Sequence, residues 1–310
     1  QQDHELSQAI AKDLEDSSEL INGRKFSSVY FGGGTPSLTS IDAVKNILDA
    51  VKKYPLDPEV EITFEMNPRD VTKEKVASLA ALGINRFSLG LQSYDDQELA
   101  ALGRNHDKAT GIKAVRILKE MNLTVDLMYG IELQTEASFK KSLEKFIDSK
   151  ANHLSLYQLT IEPNTIFYKK ELKLPDEEII EKIERLAKKI LEQNGFKQYE
   201  VSSWCKPGFE SKHNVNYWQF GDFLGVGPGA HSKITFSDEV TRFRKIKPLD
   251  GYIKKQTMAD HTIVKGDELD IDLAMNLLRI KSGIKQDQIS TLLPESFLKK
   301  YEIGVAEGLL

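Results

Sequence analysis

Apolar residues recur along the chain with two alternating periods. Leu6, Ile10 and Leu14 fall on one face at four-residue steps, which predicts a helix from Glu5 to about Leu20. The short β-rich run Ser28-Val29-Tyr30-Phe31 then delivers three glycines, Gly32, Gly33 and Gly34, followed by Thr35-Pro36-Ser37. Ser40 opens a helix with Ile41, Val44, Ile47, Leu48 and Val51 on one side, ended by Tyr54-Pro55. Val60 to Phe64 reads as a strand that runs through Glu65 and closes at Asn67-Pro68, and Lys73 to Leu82 as a helix stopped by Gly83. Asn85 to Gln92, Leu123 to Gly130 and His153 to Leu159 are three further strands. Between them lie a helix over 107–121, with Ile112, Val115, Ile117 and Leu118, and another marked by Phe139, Leu143 and Phe146. Pro175-Asp176 starts the clearest helix, with Ile179, Ile180, Ile183, Leu186, Ala187, Ile190 and Leu191 inward and Gly195 behind it. Strand and helix alternate at least five times. That rhythm specifies an α/β fold with a parallel sheet and crossover helices, whose ligands lie at the C-terminal ends of the strands.

Beyond about Ser203 the rhythm stops. The segment Trp204–Ser232 is rich in aromatic residues and glycine, and helices are expected near Leu249–Lys255, Leu269–Leu278, Gln286–Leu293 and Glu295–Tyr301. The expected division is a barrel-like domain over 1–204 and a smaller, mainly α domain over 205–310. The chain begins Gln1-Gln2 and ends Gly308-Leu309-Leu310, and it is read as trimmed at both ends.

With 310 residues and 40% hydrophobic content, there is enough chain for one large domain and a small one. A net charge of −5 argues against a protein that holds nucleic acid through its phosphates. No run approaches a membrane-spanning length and no signal peptide opens the chain, so a cytoplasmic address is expected. The one cysteine, Cys205, rules out an internal disulfide framework and a cysteine cluster within these residues.

Polar residues recur at the strand ends: Gly32 to Thr35, then Glu65 and Asn67, then Ser88 and Gln92, then Asp126, then Gln158. Asp126, between Val125 and Leu127, interrupts an apolar strand, where a carboxylate is costly to bury unless paired. Arg104 precedes a helix and offers a fork for a carboxylate. Together these groups suit a zwitterion with hydroxyls. Taken singly, each serves equally well as a structural partner. A second constellation, His213-Asn214-Val215-Asn216-Tyr217-Trp218, sets an imidazole beside flat apolar rings, and imidazole can ligate haem iron. The same residues also read as packing with a hydrogen-bonded histidine, and His231 reads as structural.

Gly32-Gly33-Gly34-Thr35-Pro36, the Glu65 strand end, Gln92-Ser93, Leu102-Gly103-Arg104 and Asp126-Leu127-Met128-Tyr129-Gly130 occur in an order that resembles radical S-adenosylmethionine (SAM) enzymes related to oxygen-independent coproporphyrinogen III oxidase. The resemblance runs through most of the chain. It implies a partial six-stranded (β/α) barrel whose first strand and C-x-x-x-C-x-x-C loop, the seat of a [4Fe–4S] cluster, lie before residue 1. It assigns Gly33, Gly34, Thr35 and Glu65 to the methionyl end of S-adenosylmethionine, Gln92, Arg104 and Asp126 to further contacts, and Met128 to the adenine. His213 to Trp218 and Gly227-Pro228-Gly229-Ala230-His231-Ser232 are similar to the haem chaperone subgroup, HemW. That similarity implies haem binding, with His213 as an iron ligand, and delivery to an acceptor protein, with a homodimer left open. The family's Gly-Leu-Pro-Gly-Gln-Thr reads Gly130-Ile131-Glu132-Leu133-Gln134-Thr135 here. The rival readings are an oxygen-independent coproporphyrinogen III dehydrogenase and a non-radical barrel enzyme such as an aldolase or hydrolase, although no strand-end lysine supports an aldolase.

Overall fold

The computed structural model describes residues 2–163, 166–170, 172–236, 239–255, 258–285 and 293–308. Helices α1 (Gln2–Asp16) and α2 (Ser18–Ile21) replace the single expected first helix, the break falling at Ser17. Then come β1 (Phe26–Phe31), α3 (Ile41–Val51), β2 (Leu56–Met66), α4 (Lys73–Ala81), β3 (Arg86–Gln92), α5 (Asp96–Ala101), α6 (Lys108–Leu118), β4 (Leu123–Tyr129), α7 (Glu136–Asp148), β5 (His153–Gln158), α8 (Ile166–Lys170) and α9 (Glu177–Gln193). Several helix starts are fixed by a capping side chain. Ser40 accepts from Ala43 N, Thr72 from Lys75 N and Asp107 from Thr110 N, while Thr135 and Ser138 bond reciprocally. Gly83 follows α4 at φ +105°, a conformation that costs glycine little.

Strands β2, β3, β4 and β5 pair in parallel, and β1 lies beside β2 at the sheet edge. The chain then adds two strands that the sequence did not signal, β6 (Lys197–Glu200) and β7 (Ser203–Cys205), with β7 antiparallel to β5. The sheet order is β1-β2-β3-β4-β5-β7-β6. The expected domain division at 204/205 falls within β7.

The molecule divides into two compact units. One comprises 29–39 and 61–210, and so contains the C-terminal ends of the parallel strands. Its helices bury Phe139, Leu143 and Phe146 of α7 and Ile183 and Leu191 of α9. The other comprises 1–28, 40–60 and 211–310. It holds α10 (Lys212–Trp218), β8 (His231–Phe236), β9 (Glu239–Lys245), α11 (Leu249–Lys255), β10 (Met258–Val264), α12 (Gly266–Leu277) and α13 (Glu295–Ala306). Three of these form an antiparallel sheet, β10-β9-β8, absent from the sequence reading. The helix expected over 286–293 lies, but for its last residue, outside the described residues. No helix among those described is long and apolar enough to cross a membrane.

Candidate functional site

Strand parity sorts the site. On β3, Phe87, Leu89 and Leu91 are fully buried, so Ser88, Gly90 and Gln92 take the opposite face. On β4, Val125 and Leu127 are buried and Asp126 and Met128 alternate with them. Register then aligns Glu65 with Ser88, Asp126 with Ser155 and Met128 with Tyr157.

The two carboxylates are held differently. Tyr30 donates its hydroxyl to Glu65 Oε1 at 2.7 Å. Gly32 permits this approach, since a Cβ there would lie 2.5 Å from the Tyr30 ring and 3.1 Å from Glu65 Oε1. Burial of Tyr30, reinforced by the charges of Glu65 and Asp126, raises its phenol well above the ordinary range and keeps it a donor. Asp126 accepts from Ser88 Oγ at 3.1 Å and from Ser155. Its carboxyl is pushed up to about 7. Burial is the main cause and the Glu65 charge adds to it, while the two serines and Arg86 pull the other way.

Arg104 completes the charge set. Its Nη2 donates to Gly90 O at 3.1 Å, while its buried Nε has no partner among the described residues. A Cβ on Gly90 would sit 3.3 Å from Gln92 Nε2 and 3.5 Å from Arg104 Nη2, so both side chains close on this one glycine. Gln92 reaches there because the β3–β4 register slips between Leu89 and Gln92, leaving Gln92 at φ +70°. Glu65, Gln92, Arg104 and Asp126 are thereby drawn together. Gly33 and Gly34, at φ +73° and +57°, stand in open space with bare backbone, and Thr35 follows, also exposed. Their loop is anchored behind by Ser37. It donates to Asp70 Oδ2 at 2.6 Å and accepts from Asn67 N, and its carbonyl receives Lys75 Nζ. Met128 packs against the buried Leu102, Ile131 and Leu159.

Sequence reasoning missed Tyr30, Ser155 and Glu98. Glu98, 1% exposed, accepts from Ser93 Oγ at 2.5 Å, Ser138 Oγ at 2.6 Å and Gln134 Nε2 at 3.0 Å. Gln134 in turn accepts from Gly130 N at 2.8 Å. The loops after β3 and β4 thus hang on one carboxylate. Where the resembled family has its second glycine, Leu133 adopts φ +68° with its side chain 69% exposed, so the loop keeps a left-handed residue at some backbone cost.

In the other unit, α10 is capped by Ser211, which accepts from Asn214 N. His213 meets Tyr217 edge-on, with centroids 4.8 Å apart, and Tyr217 packs on Phe223 at 4.3 Å. Burial lowers the His213 imidazole to about 4. It is neutral across the physiological range, the form that binds iron. Phe220 ends this stretch at φ +58° while fully buried. His231, first residue of β8, is exposed.

The strand-end residues fit the amino-acid end of S-adenosylmethionine. Bare glycine backbone and an acceptor carboxylate suit its ammonium, and a guanidinium with an orphaned buried Nε suits its carboxylate. The chain does not furnish the ligands of a [4Fe–4S] cluster. Cys205 is fully buried, with its thiol pushed up to about 12 by burial and the Glu210 charge, and among the described residues no group of three or more His, Cys, Asp or Glu could hold a metal ion.

The Radical SAM superfamily profile matches residues 9–146. The haem chaperone HemW of Haemophilus influenzae is 37% identical over 290 residues, covering 92% of this chain and 76% of that protein. HemW of Escherichia coli K12 is 33% identical, covering 95% and 82%. The mitochondrial radical S-adenosyl methionine domain-containing protein 1 of Mus musculus is 35% identical, covering 94% and 71%. Coproporphyrinogen III oxidase (HemN) from Escherichia coli shares the fold at TM-score 0.80 and 19% identity, covering 99% of this chain and 77% of its own. With relatives above 30% identity matched along nearly the whole chain, on the fold of a radical SAM protein, the chain belongs to the HemW family of the radical SAM superfamily.

Proposed function

We propose that this protein binds haem and passes it to an acceptor protein, and that its strand ends bind S-adenosylmethionine. The observation that carries the haem reading is His213, a neutral imidazole half-buried against Tyr217 on the edge of an aromatic cluster. A neutral ring nitrogen can ligate iron, and the flat apolar rings offer surface to a macrocycle. The relatives' names, haem chaperones throughout the bacterial matches cited, support delivery over oxidation of a porphyrinogen.

At the strand ends Gly33, Gly34, Thr35 and Glu65 would receive the ammonium and Arg104 the carboxylate, with Gln92 and Asp126 taking hydroxyl groups and Met128 the adenine. Bound there, S-adenosylmethionine would supply a sulfonium centre open to reductive cleavage. Glu65 serves as an acceptor because Tyr30 occupies only its Oε1. Asp126 can switch between acceptor and donor near neutrality because its carboxyl lies at about 7.

Haem titration of the protein at a series of pH values tests the reading. An ordinary histidine, with a pKa near 6.5, would lose about thirtyfold in affinity on going to pH 5, because only about 3% of it stays neutral. His213, lowered to about 4, should hold haem with affinity constant within about twofold from pH 8 to pH 5. A protein that shows no saturable Soret change, or one whose affinity falls thirtyfold by pH 5, contradicts it.

A further inference from the structure

Gln92 is offered to the strand-end site from a turn that its own backbone resists. Across the slip, Leu89 pairs with Val125 and Gln92 with Leu127, three steps along β3 against two along β4. The strand therefore carries one extra residue, a bulge. Directly beyond it, Ser93 N donates to Leu91 O at 2.9 Å and closes a three-residue turn with Gln92 at its centre, at φ +70°. A turn of this kind with positive φ at its central residue is the rare, strained form, and a residue with a Cβ keeps such a conformation only where its surroundings over-determine it.

Those surroundings converge on Leu91. Its side chain is fully buried and lies so close to α6 that a Cβ on Gly111 would collide with Leu91 Cδ1. Its carbonyl, already bonded to Ser93 N, accepts a second hydrogen bond from His106 Nε2 at 3.1 Å. A carbonyl only accepts, so His106 carries its proton on Nε2. Burial, joined by the Arg104 charge, lowers the pKa of this imidazole and keeps the ring neutral. The segment that carries His106 is pinned at both ends: Gly103 turns out of α5 at φ +65°, and Asp107 caps α6 by accepting from Thr110 N at 2.8 Å. Arg104 bonds Gly90 O from the same segment. One short connection thus grips two successive carbonyls of the bulged strand, just ahead of Gln92.

We propose that His106 is a positioning residue of the strand-end site, which holds the Leu91 carbonyl and so keeps Gln92 turned toward the ligand. This assignment rests on the S-adenosylmethionine reading above, in which Gln92 takes a hydroxyl group, and it adds what fixes that contact. His106 acts through Gln92 and not on the ligand itself. Its effect on binding should therefore vanish when the Gln92 side chain is removed.

Calorimetric titration of S-adenosylmethionine into the holoprotein tests the assignment with His106→Leu, Gln92→Ala and the double variant. Each single variant should lose about tenfold in affinity, the worth of one hydrogen bond. Added to Gln92→Ala, His106→Leu should cost less than about twofold more. His106→Gln, which keeps a donor at the reach of Nε2, should bind within about threefold of the unaltered protein. Losses that add, or a His106→Leu protein of unchanged affinity, overturn the proposal. A second readout needs no ligand: the NMR signal of the Gln92 side-chain amide should move in His106→Leu and stay in place in His106→Gln, and a signal unmoved in both also overturns it. If His106→Leu does not fold, His106→Asn, whose amide is too short to reach Leu91 O, replaces it in each comparison. If the unaltered protein binds no S-adenosylmethionine while the Gln92 signal moves as expected, the ligand reading falls and the hold of His106 on Gln92 stands.

Discussion

Asp126→Asn is expected to stabilise the protein at alkaline pH, with a gap over the unaltered chain that widens as pH rises. The Asp126 carboxyl moves from 3.8 to about 7 on folding, chiefly because burial disfavours its charged form. Between those values the folded state holds a proton that the unfolded state has released, so stability falls with rising pH. A shift of about three units is worth about 4 kcal/mol, lost progressively from about pH 4 to pH 8. Asparagine keeps the size and can still accept from Ser88 and Ser155, but carries no charge. Urea unfolding at pH 5, 6, 7 and 8 reads the gap, and one that stays constant with pH would show that Asp126 titrates like a solvated carboxyl. A charge kept here at the expense of stability is what a binding role explains.

A second large effect is expected at Glu98. Truncation by Glu98→Ala would strand the hydroxyls of Ser93 and Ser138 and the amide of Gln134 in a buried space, at a cost of about 4 kcal/mol. The loss should not remain local. Ser93 follows Gln92, and Gln134 holds the turn at Gly130, so both loops beside Arg104 and Met128 lose their common anchor. Denaturant melts measure the first consequence, and hydrogen exchange at Gly130 N, which donates to Gln134, measures the second. Unchanged stability together with unchanged exchange would remove Glu98 from the architecture of the site.

The contrast between these two carboxylates explains what the sequence could convey. Asp126 was visible because a charge between Val125 and Leu127 breaks an apolar strand, and Glu65, Gln92 and Arg104 were visible because strand ends are where such folds gather ligands. Glu98 was not. It sits on the six-residue α5, too short to show a helical period, where a glutamate reads as solvated. Tyr30 reads as one more β-forming apolar residue, and only its contact with Glu65 shows that the hydroxyl matters. Helices α3, α6 and α7 were legible because each pairs an apolar face with a capping side chain, and α9 because its apolar face runs through 17 residues. The antiparallel strands β8 and β9 were hidden because Lys233 and Lys245, 2% and 5% exposed, put charges into buried positions and erase the alternation. Each is paired, Lys233 with Asp222 at 3.0 Å and Lys245 with the buried Asp13, and a sequence does not reveal such distant partners. The slip that turns Gln92 to φ +70° is equally a property of two strands together.

The proposed hold of His213 on haem is checked by titrating haem into the protein and into His213→Ala while following the Soret band, with circular dichroism to establish that the variant is folded. The folded variant should bind haem at least tenfold more weakly and lack the Soret maximum of the unaltered protein. A folded His213→Ala protein with the same affinity and the same spectrum would contradict it, leaving His213, Tyr217 and Phe223 as packing alone.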